Sequence, residues 1–508
     1  MTFKFASAHA QVCRYCRFLV ARTDRGLESR GRVADLLELP SPLAIGTTGS
    51  WDGQRFVVEG RVQLDRERAS SAPWQEFYVV LEATGEGFWI AHAQGRWYWT
   101  RSVVPTPELP PFGALRPGKN FAVRGAGSVV IAEVGSRKVV SAEGELPDVP
   151  TIGEVTPYAD FSAQNGVFGT LDYGDGQSIP PRIYLGRQFD PASMKLDSGQ
   201  PLDRPEAVVQ SVTCPGCGGS LPLAAPAAAE RIVCRYCGAV SDVAQGALTM
   251  QGRAPPLPKP LRIPIGAEGT LRGVPVVCTG AMVRGIWDDG EFFSWTEYLL
   301  YGGPSAGYVW VVEDGRELSF VRPLGVGDVL RSEGSAEYQG RSFAYKQSGR
   351  PRVEYVVGEF YWKVSVGDVA STTDYASGRD VVSFEDADGE VNVSYCEPIS
   401  AEELAQAFGL PPPTVDFGAG AGAAPSSSPG AIGLLVFILL VLLMVFLTSR
   451  CRSSSPSSTV TSDDDSETVV VPVPISGGGG SSRSGSSWKS DSGSKPSRSY
   501  GGPSFGGK

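Results

Sequence analysis

The tetrapeptide Cys-Arg-Tyr-Cys stands at Cys13 to Cys16 and again at Cys234 to Cys237. Other landmarks recur with it. Ser41-Pro-Leu-Ala-Ile-Gly46 stands against Leu261-Arg-Ile-Pro-Ile-Gly266, and Trp51-Asp-Gly53 against Leu271-Arg-Gly273. Trp74-Gln-Glu-Phe77 stands against Trp295-Thr-Glu-Tyr298, Gly144-Glu-Leu146 against Gly358-Glu-Phe360, and Asp160-Phe161 against Asp374-Tyr375. The spacing stays near about 215–220 residues, a register chance does not hold, and a sustained internal period outranks residue-level guesses. Such a chain reads as one module used twice.

At 508 residues the chain is too long for one core. Its 63 glycines and 39 prolines, with 10% aromatics, favour short strands and many turns over long helices. The expected fold is mainly β, two tandem barrel- or sandwich-like repeats. Glu76 to Leu81 and Phe88 to Ala91 read as a hairpin. Helical signal is confined to Val33 to Leu39 and to Ser400 to Phe408, where Ser400 is the N-cap and Glu403 the capping-box residue. Composition shifts predict a partial zinc ribbon at 1–30, the first repeat at 31–190 and a linker at 191–210. A ribbon at 211–245 and the second repeat at 255–410 follow. Next come a linker at 411–430, a transmembrane helix at 431–448 and a disordered Ser/Gly-rich tail at 449–508.

Six of the nine cysteines lie in C-x-x-C pairs; Cys278, Cys396 and Cys451 are isolated. Cys214, Cys217, Cys234 and Cys237 have the spacing of a four-cysteine ribbon, two knuckles about 16 residues apart. Each knuckle turn aims two sulfurs at one point. Thiolates suit zinc best, with mononuclear iron or a pair of disulfides as alternatives. Four protein ligands leave no open position, so the site reads as structural or as a docking surface. Cys13 and Cys16 form half of such a set, with His9 as one further donor nearby. Phe3-Lys-Phe5 matches Leu221-Pro-Leu223, so the missing knuckle would precede Met1. Either the start is truncated or this copy is degenerate, and the half-set alone is expected to hold no metal.

Trp74 with Glu76, and Trp295 with Glu297, recur as W-x-E-[FY]. They read either as strand core with the glutamates on the wet face, or as carboxylates beside an aromatic wall that suits a cationic ligand such as a polyamine. The cluster Trp97-Tyr-Trp99 reads as edge-strand packing, with a binding face as the alternative. Catalysis finds little support. The histidines are His9 and His92, neither in a nucleophile–base pair, and no phosphate-cradling loop or Gly-x-Ser-x-Gly occurs.

The C-x-x-C ribbon, the run from Ser41 through Gly46-Thr-Thr-Gly49 and Val57-Val-Glu-Gly60-Arg61, and Trp74-x-Glu-Phe77 resemble the bacterial DUF4178 family. Trp295-Thr-Glu-Tyr298 and Gly358-Glu-Phe-Tyr-Trp362 extend the resemblance to a second copy. It covers roughly residues 1–400. The family has no established activity. The resemblance implies only an association with polyamine-linked and membrane-stress processes.

The run from Ala431 to Leu447 carries no charge and is long enough to span a bilayer. Arg450 and Arg452 follow it, which by the positive-inside rule would place the tail in the cytoplasm. That topology demands export of the thiol-bearing domains, and the N-terminus has no apolar run of a secretory signal. The expected arrangement is therefore a single-pass inner-membrane protein with cytoplasmic domains. A formal charge of −10 disfavours nucleic acid as a partner. The function expected is binding or scaffolding of protein partners at the membrane. An enzyme or enzyme subunit of polyamine-related metabolism and a nucleic-acid-binding ribbon protein are the alternatives.

Overall fold

A computed structural model describes residues 3–411, except 6–7, 24–25, 34–40, 67–73, 94–95, 105–108, 175–180, 201, 203–209, 227, 245–246, 258, 289, 316 and 388. The helix expected near residue 33, Cys451, nearly all of the linker after 411, the apolar run 431–448 and the tail lie outside the described residues. Among the described residues no helix is long and apolar enough to cross a membrane.

The described chain is mainly β. In the N-terminal half, strands Gln54–Arg66, Trp74–Leu81, Gly87–Ala93 and Arg96–Val103 form an antiparallel meander. Arg182–Phe189, Val167–Asp172 and Val155–Ala163 continue from it. The 20-residue strand Gly127–Leu146 pairs with Val155–Ala163 through its first part and with Gln54–Arg66 through its last, which closes the strands into a ring. Closure removes the unpaired edges that an open sheet exposes. Arg96–Val103 is paired on both sides, so Trp97 lies within the ring wall and not on an edge strand.

The C-terminal half closes in the same order. Val274–Asp288, Glu291–Tyr301, Tyr308–Asp314 and Glu317–Leu324 form the meander. Glu390–Ile399, Asp380–Ala387 and Ser371–Ser377 follow. Two strands in line complete the ring: Arg341–Gly349 bonds to Ser371–Ser377, and Arg352–Phe360 bonds to Val274–Asp288. The break falls at Pro351, whose nitrogen has no proton to donate to a ladder.

Alternation along Glu291–Tyr301 places the core. Trp295 and Leu299 face the interior with Met282, Trp310 and Phe360. Tyr298 and Leu300 face outward, where Leu404 and Phe408 of the helix Ala401–Phe408 cover them. Both faces are buried, so the strand reads as a near-continuous apolar run rather than a half-wet alternation. The helix starts as its cap residues dictate: the Ser400 side chain accepts from the Glu403 N–H at 3.0 Å.

The stretch from 191, expected as linker, begins inside the first half, because Met194–Leu196 pairs with Thr48–Trp51. The halves touch directly. Val134 donates its N–H to the Gly389 carbonyl at 2.9 Å, Arg96 reaches the Pro323 carbonyl at 2.7 Å, and the Gly327 N–H donates to Ser162 Oγ at 2.8 Å.

Candidate metal centre

Cys214, Cys217, Cys234 and Cys237 converge. Their sulfurs all lie within 4.8 Å of one another, with Cys214–Cys237 at 3.7 Å and Cys217–Cys234 at 3.8 Å. Metal–sulfur bonds of about 2.3 Å in a tetrahedron set neighbouring sulfurs about 3.8 Å apart, so the donor set is already sized for a metal ion. Cys214 and Cys234 are buried, Cys237 is partly buried and Cys217 is exposed.

Backbone geometry aims these sulfurs. The Cys214 N–H donates to the Gly219 carbonyl and the Gly218 N–H to the Cys214 carbonyl, both at 2.8 Å. The second knuckle repeats this: Cys234 N–H to Ala239 O at 2.9 Å and Gly238 N–H to Cys234 O at 2.8 Å. Gly218 and Gly238 have φ of 74° and 71°, the left-handed region in which a side chain is strained. Backbone N–H groups also point at sulfur, from Gly216 to Cys214 at 3.3 Å and from Tyr236 to Cys234 at 3.4 Å. The N–H of Ala239 draws the Cys237 thiol down to about 7, while burial pushes Cys234 up to about 12. A bound cation would hold all four as thiolates.

The centre is fastened to the second ring. Arg231–Val233 pairs with the end of Arg352–Phe360. Arg231, itself buried, bonds Asp242 through Nε and Nη2, and the Val364 carbonyl and Ser365 Oγ through Nη1. Glu359 accepts the N–H groups of Ala224 and Ala225 at 2.6 and 2.8 Å. Burial raises its carboxyl to about 7, against the pull of those two donors.

The N-terminal residues take the corresponding place on the first ring. Ala10–Val12 pairs with the end of Gly127–Leu146, and buried Glu145 accepts the N–H groups of Lys4 and Phe5. Lys4 and Phe5 thus stand where Ala224 and Ala225 stand, two residues off the match of Phe3-Lys-Phe5 to Leu221-Pro-Leu223. Cys13 begins a third knuckle: its N–H donates to Phe18 O and its carbonyl accepts from Arg17 N, both at 2.9 Å. Cys13 is partly buried and Cys16 exposed. His9 is exposed on the preceding residues and, among the described residues, no third donor joins these two sulfurs.

The W-x-E glutamates sit in separate rings and do not meet. Neither lies on a wet face: Glu76 and Glu297 are both buried. Each accepts from the indole two residues before it, Trp74 Nε1 at 3.1 Å and Trp295 Nε1 at 2.7 Å. In the second ring Arg284 stands 3.9 Å from Glu297 and bonds Glu385 at 3.1 Å. Burial raises the Glu297 carboxyl to about 8 even with that guanidinium beside it. In the first ring Leu64 holds the position across from Trp74 that Arg284 holds across from Trp295. The cation there comes from another strand: Arg137, 3.2 Å from Asp172. Burial opposes its charge, and Asp172 and Glu76 outweigh that opposition. Sequence reasoning missed these arginines and their partner acids, because nothing local marks a pairing between strands so distant in the chain.

Cys278 and Cys396 are buried in apolar clusters of the second half. His92 stacks on Trp97 with centroids 4.5 Å apart, and burial lowers it to about 4, so it is neutral. A cavity of about 610 Å³ lies between the halves, with Tyr98, Glu133, Asp160, Tyr338 and Glu390 in its wall.

No curated protein and no solved structure matches the chain. A family model of DUF4178, a domain of unknown function, matches residues 264–401, which spans the whole second ring and leaves the cysteine cluster outside. The second ring is therefore a DUF4178 domain.

Proposed function

We propose that this is a membrane-tethered zinc protein that binds partners and does not catalyse, built from two copies of a ring-plus-ribbon module. The four converging sulfurs carry the reading. Four thiolates close the coordination sphere, and a closed tetrahedral zinc site holds a surface in shape without offering a place for substrate. Recurrence of the ring order, of the carboxylate clamps at Glu145 and Glu359, and of the knuckle bonds supports the two-copy reading. The uncharged run 431–448 supports a single-span anchor, with the domains on the cytoplasmic side. The test is fractionation of the full chain followed by metal analysis and crosslinking. The chain is expected in the membrane pellet, resistant to carbonate, with zinc that is lost in Cys214→Ser/Cys217→Ser. Crosslinks to one partner protein are expected to vanish with the zinc. A soluble chain, a zinc-free chain, or crosslinks only within the chain would overturn it.

A second reading rests on the cavity between the halves. Its wall sets Glu133, Asp160, Asp328, Glu390 and Glu397 against Arg96, Arg272 and Arg322, with Glu133 paired to Arg66, and the acidic balance left beside Tyr98 and Tyr338 suits a cationic organic ligand such as a polyamine, as carrier or as enzyme. Spermidine titrated into the full chain distinguishes the two: saturable binding abolished by Asp160→Asn favours this reading. The acidic charge leaves nucleic acid disfavoured.

A further inference from the structure

The N-terminal knuckle is built to ligate, although among the described residues nothing completes its donor set. Arg17 has φ of 60°, the conformation that Gly218 and Gly238 adopt at the matching place after their knuckles. An arginine there is strained, and the turn is held in spite of it by two backbone bonds and by Arg17 Nη2 on Ser141 Oγ at 3.1 Å. The hairpin behind it also agrees: the Val33 N–H donates to Arg17 O, as the Ala254 N–H does to Gly238 O. Cys13 and Cys16 are therefore fixed in the same turn that aims Cys234 and Cys237.

We propose that Cys13 and Cys16 are half of a second four-cysteine metal site, and that the other half is the same knuckle of a second copy of this chain. A zinc ion bound by two thiolates lacks two ligands. Among the described residues none can supply them: Cys278 and Cys396 are buried, and the four ribbon cysteines serve one another. A second knuckle supplies two sulfurs. Two knuckles facing each other across a metal are what the ribbon already contains, and an identical pair does this about a twofold axis, the commonest symmetry of soluble oligomers.

Exposed aromatic side chains stand around the knuckle, where that partner would meet it. In the ribbon the ring of Tyr236 lies on the facing knuckle at Gly219, where a Cβ would come within 3.0 Å of it. The residue matching Tyr236 is Tyr15, and the residue matching Gly219 is Phe18. Tyr15 is 80% exposed and Phe18 42%, two aromatic side chains left in water beside a metal-ready turn. Two facing copies bring each Tyr15 toward Phe18 of the other copy; a side chain at the Gly219 place crowds the tyrosine, so Tyr15 turns outward there and lies on the far side of the Phe18 ring. Arg14 and Arg17 flank each pair of sulfurs and offset the negative charge of a four-thiolate zinc site.

The site shares no residue with the ribbon, so the two are tested separately. The full chain, purified in detergent without chelator, is assayed for zinc per chain and for mass by light scattering. A dimer with about 1.5 zinc per chain is expected, one in each ribbon and one shared. Cys13→Ser/Cys16→Ser is expected to give a monomer with about one zinc. Cys214→Ser/Cys217→Ser is expected to stay dimeric with about 0.5 zinc per chain. Tyr15→Glu keeps both thiols and is expected to weaken the dimer at least tenfold. A wild-type monomer overturns the proposal at any zinc content: about one zinc per chain means an empty knuckle, and about two means a site closed within the chain. A dimer that survives Cys13→Ser/Cys16→Ser, or one split by reductant and not by chelator, overturns it as well.

Discussion

Arg284 and Glu385 meet inside the second ring as a forked pair, Nη1 to Oε2 at 3.1 Å and Nη2 to Oε1 at 3.2 Å, from strands 101 residues apart. Both side chains are almost fully buried, so neither charge can turn to water if the other is removed. Glu385→Ala is expected to cost about 3–5 kcal/mol of stability, read by denaturant unfolding of the second half. The double variant Arg284→Met/Glu385→Leu is expected to recover most of that loss. If the single and double variants lose the same stability, the pair is not the cause.

Glu297 makes stability depend on pH in a defined sense. Burial raises its carboxyl from 4.5 to about 8 in the fold. The folded state thus keeps its proton where the unfolded state has released it, so stability is greatest below about 4.5 and falls as pH rises toward 8. The slope for one group is at most about 1.4 kcal/mol per pH unit. Glu297→Gln is expected to flatten the curve between pH 5 and pH 8 (roughly, by the same linkage). An unchanged curve would show that Glu297 is ionised in the fold, held by Arg284.

If the four cysteines hold zinc as proposed, its removal is expected to loosen one region and spare the rest. Val212, Leu221, Ile232 and Ala239 pack around the sulfurs in a cluster of their own. A cluster so small would gain much of its stability from such a cross-link, since structural zinc contributes about 10–16 kcal/mol in isolated zinc-finger peptides. Chelation or Cys234→Ser is expected to expose the segment around 211–245 to protease while the β circular dichroism of the rings persists. Loss of the whole spectrum would mean that the rings need the ribbon to fold.

Gly358 has φ of 93°, and a Cβ there would stand 2.3 Å from the Thr279 carbonyl oxygen. Gly273 has φ of 80° in an open turn, with nothing within 4 Å. Gly273→Ala is expected to cost about 1–2 kcal/mol, the left-handed term alone. Gly358→Ala carries that term and a further overpacking cost of about 1–3 kcal/mol. Thermal melts of the two variants side by side check the order; equal melting points would show that the strands part freely at Gly358.

The sequence carried the elements that depend on neighbours in the chain. The hairpin around Phe77 and Phe88, the Ser400 cap and the C-x-x-C turns are local chemistry, and each stands where its residues indicated. The glutamates of W-x-E were misplaced for the opposite reason. A charged residue in a strand suggests water, and what admits Glu297 to the interior is the proton that burial lets it keep and the Arg284 guanidinium beside it, on a strand the motif does not mention. The burial of Trp97 was equally hidden, since its second neighbour strand, Arg182–Phe189, lies far downstream. Arg17 shows a third limit. Nothing in its identity suggests a left-handed residue, and only the knuckle around it explains that conformation.

The strand Gly127–Leu146 bonds to the strands before and after it, to Ala10–Val12 beneath the N-terminal knuckle, and to Glu390 of the other half. It acts as a splice more than as a wall. If it peels away, the first ring opens, the knuckle loses its footing and the backbone contact of Val134 with Gly389 of the other half is lost in the same event. Its amide protons are therefore expected to be among the last in the molecule to exchange with solvent, and any force applied through a partner at the N-terminus would be carried along it into the DUF4178 ring.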